Sequence, residues 1–216
     1  MKAALSLVAY IVLALVVAGT ARADQFSAST DVRSTANASV RYPRQAKQSS
    51  RFSNIELTTQ HGKRVRFYDD LVKDKVVIIN MMYTTCTNLC PYYQVQLSKL
   101  HELMHRWIGR DVQLVSITID PENDRPDVLK QYWQAFGAQP GWLFLTGKFE
   151  DIEKLRRELG VYDLDPTIDA DKSQHAGILT IGNDRSNKWL ALPIMMHLRQ
   201  LATTILRNVH DRQIKR

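Results

Sequence analysis

The sequence predicts an α/β domain with a mostly parallel central sheet flanked by helices and an N-terminal β-hairpin. Two runs, KVVIINMMY (75–83) and VQLVSITID (112–120), are rich in β-branched apolar residues and short for helices. Such runs suit strands buried on both faces. Each leads into a stretch of helical character opened by a proline, Pro91 or Pro126. Proline fits there because its missing N–H is not needed in the first helical turn. Alternation of strand and helix is the mark of parallel strands with helices packed on their faces.

The first 23 residues stand apart from this pattern. Lys2 is a minimal positive start, AALSLVAYIVLALVVAG is an uncharged apolar stretch, and ARA at 21–23 matches a cleavage site. Residues 1–23 are expected to be a secretory signal peptide. The rival is an uncleaved N-terminal membrane anchor, although the run from Ala3 to Gly19 is at the short limit for a span of about 20 residues. Both readings export the domain, to the periplasm or to the periplasmic face of the inner membrane. Residues 24–50 are rich in Ser, Thr, Ala and Gln with no hydrophobic period, the composition of a flexible linker. The domain proper is expected over 51–216.

Its elements follow in order. NIELTT and RVRFYD flank QHGK and read as a hairpin. After the strand at 75–83, the helix behind Pro91 carries an apolar stripe at Val95, Leu97, Leu100, Leu103, Met104 and Trp107. The strand at 112–120 leads to a helix, RPDVLKQYWQAFG, that closes on Gly137. WLFLTG is a strand and FEDIEKLRRELG a helix closing on Gly160. HAGILTIG and KWLALP pair as strands, and IMMHLRQLATTILRNV is an amphipathic closing helix. No internal repeat is present.

Composition narrows the function. The 216 residues, 44% hydrophobic, suffice for one domain with a real core. A formal charge of +7 is compatible with acidic partners or an anionic membrane surface. No basic run is interleaved with aromatics, which sets nucleic-acid binding aside. Contact with a membrane is expected only through an uncleaved leader.

Both cysteines lie in YTTCTNLCPYY (83–93). They fall between the end of a buried strand and the start of a helix, where open α/β sheets bind ligands. Cys90 precedes Pro91, so it meets the unsatisfied N–H groups and dipole of a helix start, which favour a thiolate. A disulfide closing so small a loop removes little chain entropy, so a mere staple would gain little. The spacing is one residue wider than that of common thiol oxidoreductases. A soft thiolate pair selects Cu(I) among likely metals and leaves room for a neutral third donor.

From about Phe52 to Pro193 the chain resembles the Sco/SenC family. The resemblance lies in YTTCTNLCP, ITIDPENDRP, LTGKFEDIEKL and the histidine of SQHAGILTIG. It implies a thioredoxin-like fold and a copper-binding assembly factor for the CuA site of cytochrome c oxidase. The implied copper ligands are Cys86, Cys90 and His175. Its implied partners are the copper-receiving oxidase subunit, or another copper protein, and a thioredoxin-like electron donor. The alternative is an enzyme, a thiol–disulfide reductase acting on the cysteines of the copper-receiving partner, with Cys86 and Cys90 as its redox pair. Three departures bear on that choice. Thr87 and Asn88 replace the usual proline and aspartate, Gln174 replaces an aspartate, and Arg125 stands for a threonine or serine. Losing two carboxylates removes negative charge that would favour a bound cation.

Other motifs compete for attention. HELMH (101–105) matches the zinc-protease pattern H-E-x-x-H, but no third ligand follows at the expected spacing. Met195, Met196 and His197 could offer soft donors, although methionine more often fills core gaps. Met81 and Met82, beside the cysteines, are expected to pack. Asp120 and Asp124 read equally well as supports for the cysteine site or as turn residues.

Overall fold

The computed structural model describes residues 51–137, 140–172 and 177–210. The expected leader (1–23) and linker (24–50), and His175 with Gln174, lie outside the described residues. Seven strands form one sheet: β1 (Glu56–Thr59), β2 (Arg64–Arg66), β3 (Val76–Met82), β4 (Val112–Thr118), β5 (Trp142–Thr146), β6 (Ile178–Asn183) and β7 (Lys188–Pro193). The helices are α1 (Cys90–Leu103), α2 (Pro126–Ala135), α3 (Phe149–Glu158), α4 (Pro166–Ala170) and α5 (Leu198–His210).

Spatial order is β2-β1-β5-β4-β3-β6-β7. The parallel part is confined to the centre, where β4 pairs in parallel with both β3 and β5. The outer strands run antiparallel, which makes the sheet mixed. For β1–β2 and β6–β7 the reason is chain geometry: they are hairpins, and only a longer crossover can join parallel neighbours.

All seven residues of β3 are buried, because both of its faces are covered. Val76, Ile78 and Met82 join a core with Leu97 and Leu100 of α1, Leu129 of α2 and Leu201 and Ile205 of α5. Val77, Ile79 and Met81 join the opposite core with Phe67, Leu71, Ile152 and Leu155. Double coverage explains the apolar run that marked this strand, interrupted within it by Asn80, whose Oδ1 accepts from the Ser116 hydroxyl.

The α1 stripe differs from expectation. Its buried face is Cys90, Gln94, Leu97, Leu100 and His101, whereas Val95 and Leu103 are exposed. One position along a helix turns the side chain by about 100°, so Val95 points away from the face that Gln94 shares with Cys90. The helix ends at Leu103, and Met104 is buried in the turn beyond it. No side chain caps the α1 N-terminus, an omission worth about 1 kcal/mol. Burial of Leu97 and Leu100 outweighs it, at about 2 kcal/mol each.

Pattern reading missed α4, which is too short and polar to show a period. Its cap is Asp165, whose side chain accepts from the Thr167 amide. Asp169 of α4 pairs with the buried Arg156 of α3, which also binds Glu153. That cluster fixes the chain just before Lys172.

Candidate functional site

Strand β3 ends at Met82, the loop carries Cys86, and Cys90 opens α1 with Pro91 behind it. The two sulfurs are joined as a disulfide, with Cα atoms 5.8 Å apart. Both cysteines are buried, but unequally: Cys86 is 8% exposed and Cys90 1%. Leu89 and Tyr92, on either side of Cys90, are exposed apolar residues.

The loop is held from the neighbouring strand. Asp124 is fully buried, and its carboxylate accepts from the Thr84 amide at 3.0 Å and from the Thr84 hydroxyl. It also accepts from the hydroxyl of Thr118, the last residue of β4. Burial, with the Asp124 charge adding to it, pushes the Tyr132 phenol up to about 12. Asp124 therefore ties the end of β4 to the segment two residues before Cys86.

Asp120 holds its own turn and ties it to Lys172. As a turn residue, it accepts from the Asn123 side chain at 2.9 Å, and its carbonyl accepts from the Asp124 amide. It also takes a 2.8 Å bond from Lys172. Burial alone would raise its pKa. The hydrogen bonds from Lys172 and Asn123 and the lysine charge prevail, so its carboxyl lies below the ordinary aspartate value.

His175 falls in the segment 173–176, outside the described residues. Its two flanks are described. Lys172 holds Asp120, as above. Gly177 has φ +99°, and a Cβ there would lie 2.9 Å from the Tyr93 hydroxyl oxygen. Tyr93 belongs to the first turn of α1, three residues after Cys90.

The competing histidines do not make a metal site. His105 lies beyond the end of α1, and its Nδ1 is 2.9 Å from the Glu102 carbonyl. His101 is buried, stacked on Trp142 with its Nε2 3.3 Å from the Pro140 carbonyl. Burial, and to a lesser degree His105, hold His101 below the ordinary histidine pKa, against the Pro140 contact that favours the proton. Met195 and His197 are exposed, whereas Met196 packs on the core, as do Met81 and Met82. Among the described residues, no group of three or more His, Cys, Asp or Glu side chains is arranged to hold a metal ion.

Sequence reasoning passed over Gln94. It is buried one turn after Cys90, and among the described residues neither its Oε1 nor its Nε2 has a hydrogen-bond partner. The available signal was a polar residue at i+4 from a site cysteine, on the face that later carries Leu97.

The SCO1/SenC family model matches residues 43–205. Protein sco1 of Schizosaccharomyces pombe is 30% identical over 122 residues, 56% of this chain and 45% of that protein. The chain spans about half the length of the first curated relatives it matches. A copper-bound ScoI structure from Bradyrhizobium japonicum aligns with TM-score 0.56 and 26% identity, over 71% of this chain and 96% of that one. The structure of BsSco aligns with TM-score 0.57 and 18% identity, over 77% of this chain and 98% of that one. BsSco is described as a cytochrome c oxidase assembly protein with a disulfide switch. The match to these structures bears out the thioredoxin-like fold.

Proposed function

The chain belongs to the SCO1/SenC family, and from that we propose that it carries copper for maturation of the CuA site of a respiratory oxidase. The observation that carries this reading is the meeting of Cys86 and Cys90 at the end of β3 and the start of α1. The copper bound to Bradyrhizobium japonicum ScoI and the oxidase-assembly role of BsSco support it.

The donors suit the cargo. Two converging sulfurs are soft donors, and a dithiol in this place would hold Cu(I) with the His175 imidazole as third ligand. Support for His175 comes from its flanks. Lys172 touches Asp120 beyond β4, and Gly177 abuts Tyr93 of α1.

Redox state would control loading, because the thiolate ligates and the disulfide does not. A thioredoxin-like dithiol donor would supply the two electrons and two protons that open the pair, becoming a disulfide itself. The receiving partner would be the copper-binding oxidase subunit or another copper protein.

We place this work outside the cytoplasm, with residues 1–23 as export signal or inner-membrane anchor, 24–50 as linker and 51–216 as the working domain. Among the described residues, no helix is long and apolar enough to cross a membrane.

The test is copper stoichiometry. The reduced domain should bind one copper ion per chain, and Cys86→Ser, Cys90→Ser and His175→Ala should each weaken binding severely. Wild-type affinity in His175→Ala would remove it as a ligand.

A second reading, thiol–disulfide reductase, draws on the unequal exposure of the two cysteines and on Thr87, Asn88 and Gln174 standing where the resemblance implies proline or acids. A reductase should reduce a partner peptide with paired cysteines in the absence of copper. Asn88→Asp should raise copper affinity about threefold, a small effect because the position is exposed and screened by salt. Tight copper binding by the wild type with no dithiol exchange would leave the carrier reading alone.

A further inference from the structure

Gln94 and Cys90 are four residues apart on the buried face of α1. Side chains so placed are neighbours, with Cβ atoms about 5–6 Å apart. Gln94 is 1% exposed, yet both polar atoms of its amide lack partners among the described residues while the cysteines are a disulfide. Leaving a buried amide unsatisfied is costly, and leucine would fill a similar volume without that cost. Leu97 occupies the next buried position of the same helix face.

Opening the disulfide creates the missing partner. A disulfide sulfur has no hydrogen and accepts weakly. A thiol brings an S–H that the Gln94 Oε1 can accept, and a thiolate accepts well from the Gln94 Nε2. Either protonation state satisfies the amide. We propose that Gln94 is a positioning residue that favours the reduced pair, by hydrogen-bonding the Cys90 sulfur once the disulfide opens. The inference rests on the reading of Cys86 and Cys90 as redox-active.

The exchange is balanced as follows. A thiolate of a dithiol donor attacks the Cys86 sulfur, the more exposed of the pair. The Cys86–Cys90 bond breaks, and its electron pair goes to the Cys90 sulfur beside Gln94. The donor and Cys86 are then joined in a mixed disulfide. The donor's second thiolate attacks the donor sulfur of that bond and releases Cys86. The donor leaves as a disulfide, two electrons have passed, and the two protons given up by the donor thiols balance the protonation of the released cysteines.

The experiment poises wild type, Gln94→Leu and Gln94→Met against glutathione mixtures and measures the disulfide fraction by thiol labelling. Both substitutions should shift the equilibrium about tenfold toward the disulfide, the scale of one buried hydrogen bond. That corresponds to about 30 mV for a two-electron couple. The readout is a ratio of oxidised to reduced forms within one variant, so a stability loss shared by both forms does not imitate it. Leu97→Met, on the same face, should leave the ratio within about twofold of wild type. Oxidised-to-reduced ratios of both Gln94 variants within about twofold of wild type, or shifted toward the dithiol, overturn the inference. If no dithiol opens the wild-type disulfide, the proposed function fails and the inference with it. If the wild type opens and binds copper but Gln94 has no effect, the inference alone fails.

Discussion

Asp124 accepts hydrogen bonds from both the amide and the hydroxyl of Thr84, two residues before Cys86. The contact joins the ends of two neighbouring strands, and the position of the cysteine loop depends on it. Asp124→Ala strands the Thr84 and Thr118 donors and should cost about 3 kcal/mol. For a domain of this size that lowers Tm by roughly 10 °C. Thermal denaturation of Asp124→Ala, Thr84→Val and the double variant measures the coupling. The double variant should lose less than the sum of the singles. Strict additivity would show that the pair does not act as a unit.

A second relationship links Gly177 to Tyr93. At φ +99° an alanine is strained, and its Cβ would meet the Tyr93 ring end. Gly177→Ala should therefore cost about 1–2 kcal/mol from the backbone alone, with the clash added. Adding Tyr93→Leu removes the clash but not the backbone strain, so recovery should be partial. If Gly177 anchors the His175 segment, Gly177→Ala should also weaken copper binding about tenfold, a shift of about 1.4 kcal/mol. Chelator competition on the reduced protein reads this, with thiol counts unchanged. Full affinity in a folded Gly177→Ala domain would show that Gly177 does not anchor the His175 segment.

His101 should make stability depend on pH. Its folded pKa is held below the ordinary 6.5, chiefly by burial. The unfolded chain then binds the proton more readily, so stability is fully present above about pH 6.5 and declines as pH falls through the folded value. Melting curves between pH 7.5 and about 5 should show that decline in wild type and a flatter one in His101→Leu. Equal slopes would sink the assignment. The double change His101→Ala with His105→Ala should leave copper binding intact. Zinc-dependent peptide cleavage abolished by Glu102→Gln would restore the protease reading.

The β3 run was legible because a strand covered on both faces has no polar side to show. Cys90 at the start of α1 was legible from Pro91, since proline is favoured in a first helical turn. The α1 face was read correctly at Leu97, Leu100 and Met104 and misread at Val95 and Leu103, because the stripe is interrupted. Gln94 and His101 are buried polar residues that break it, while Val95 and Leu103 extend a false one. HELMH looked helical throughout, yet the helix ends before His105. A motif cannot report where its helix stops.

The sequence by itself determined the order of the strands and longer helices, the αβ alternation and the placing of the cysteine pair between a strand and a helix. Those features follow from short-range physics: side-chain periodicity, the fixed φ of proline and the turn residues between runs. Only the tertiary structure decided what faces what. Asp124 reaches Thr84, Lys172 reaches Asp120, and Tyr93 closes on Gly177, across 40, 52 and 84 positions of chain. Periodicity tells which face of an element is buried, but the partner across that face depends on the strand order β5-β4-β3-β6, which long-range packing selects. For the same reason the unpaired amide of Gln94 was invisible in the sequence. Its lack of a partner is a property of the packed interior around it, not of the helix that carries it.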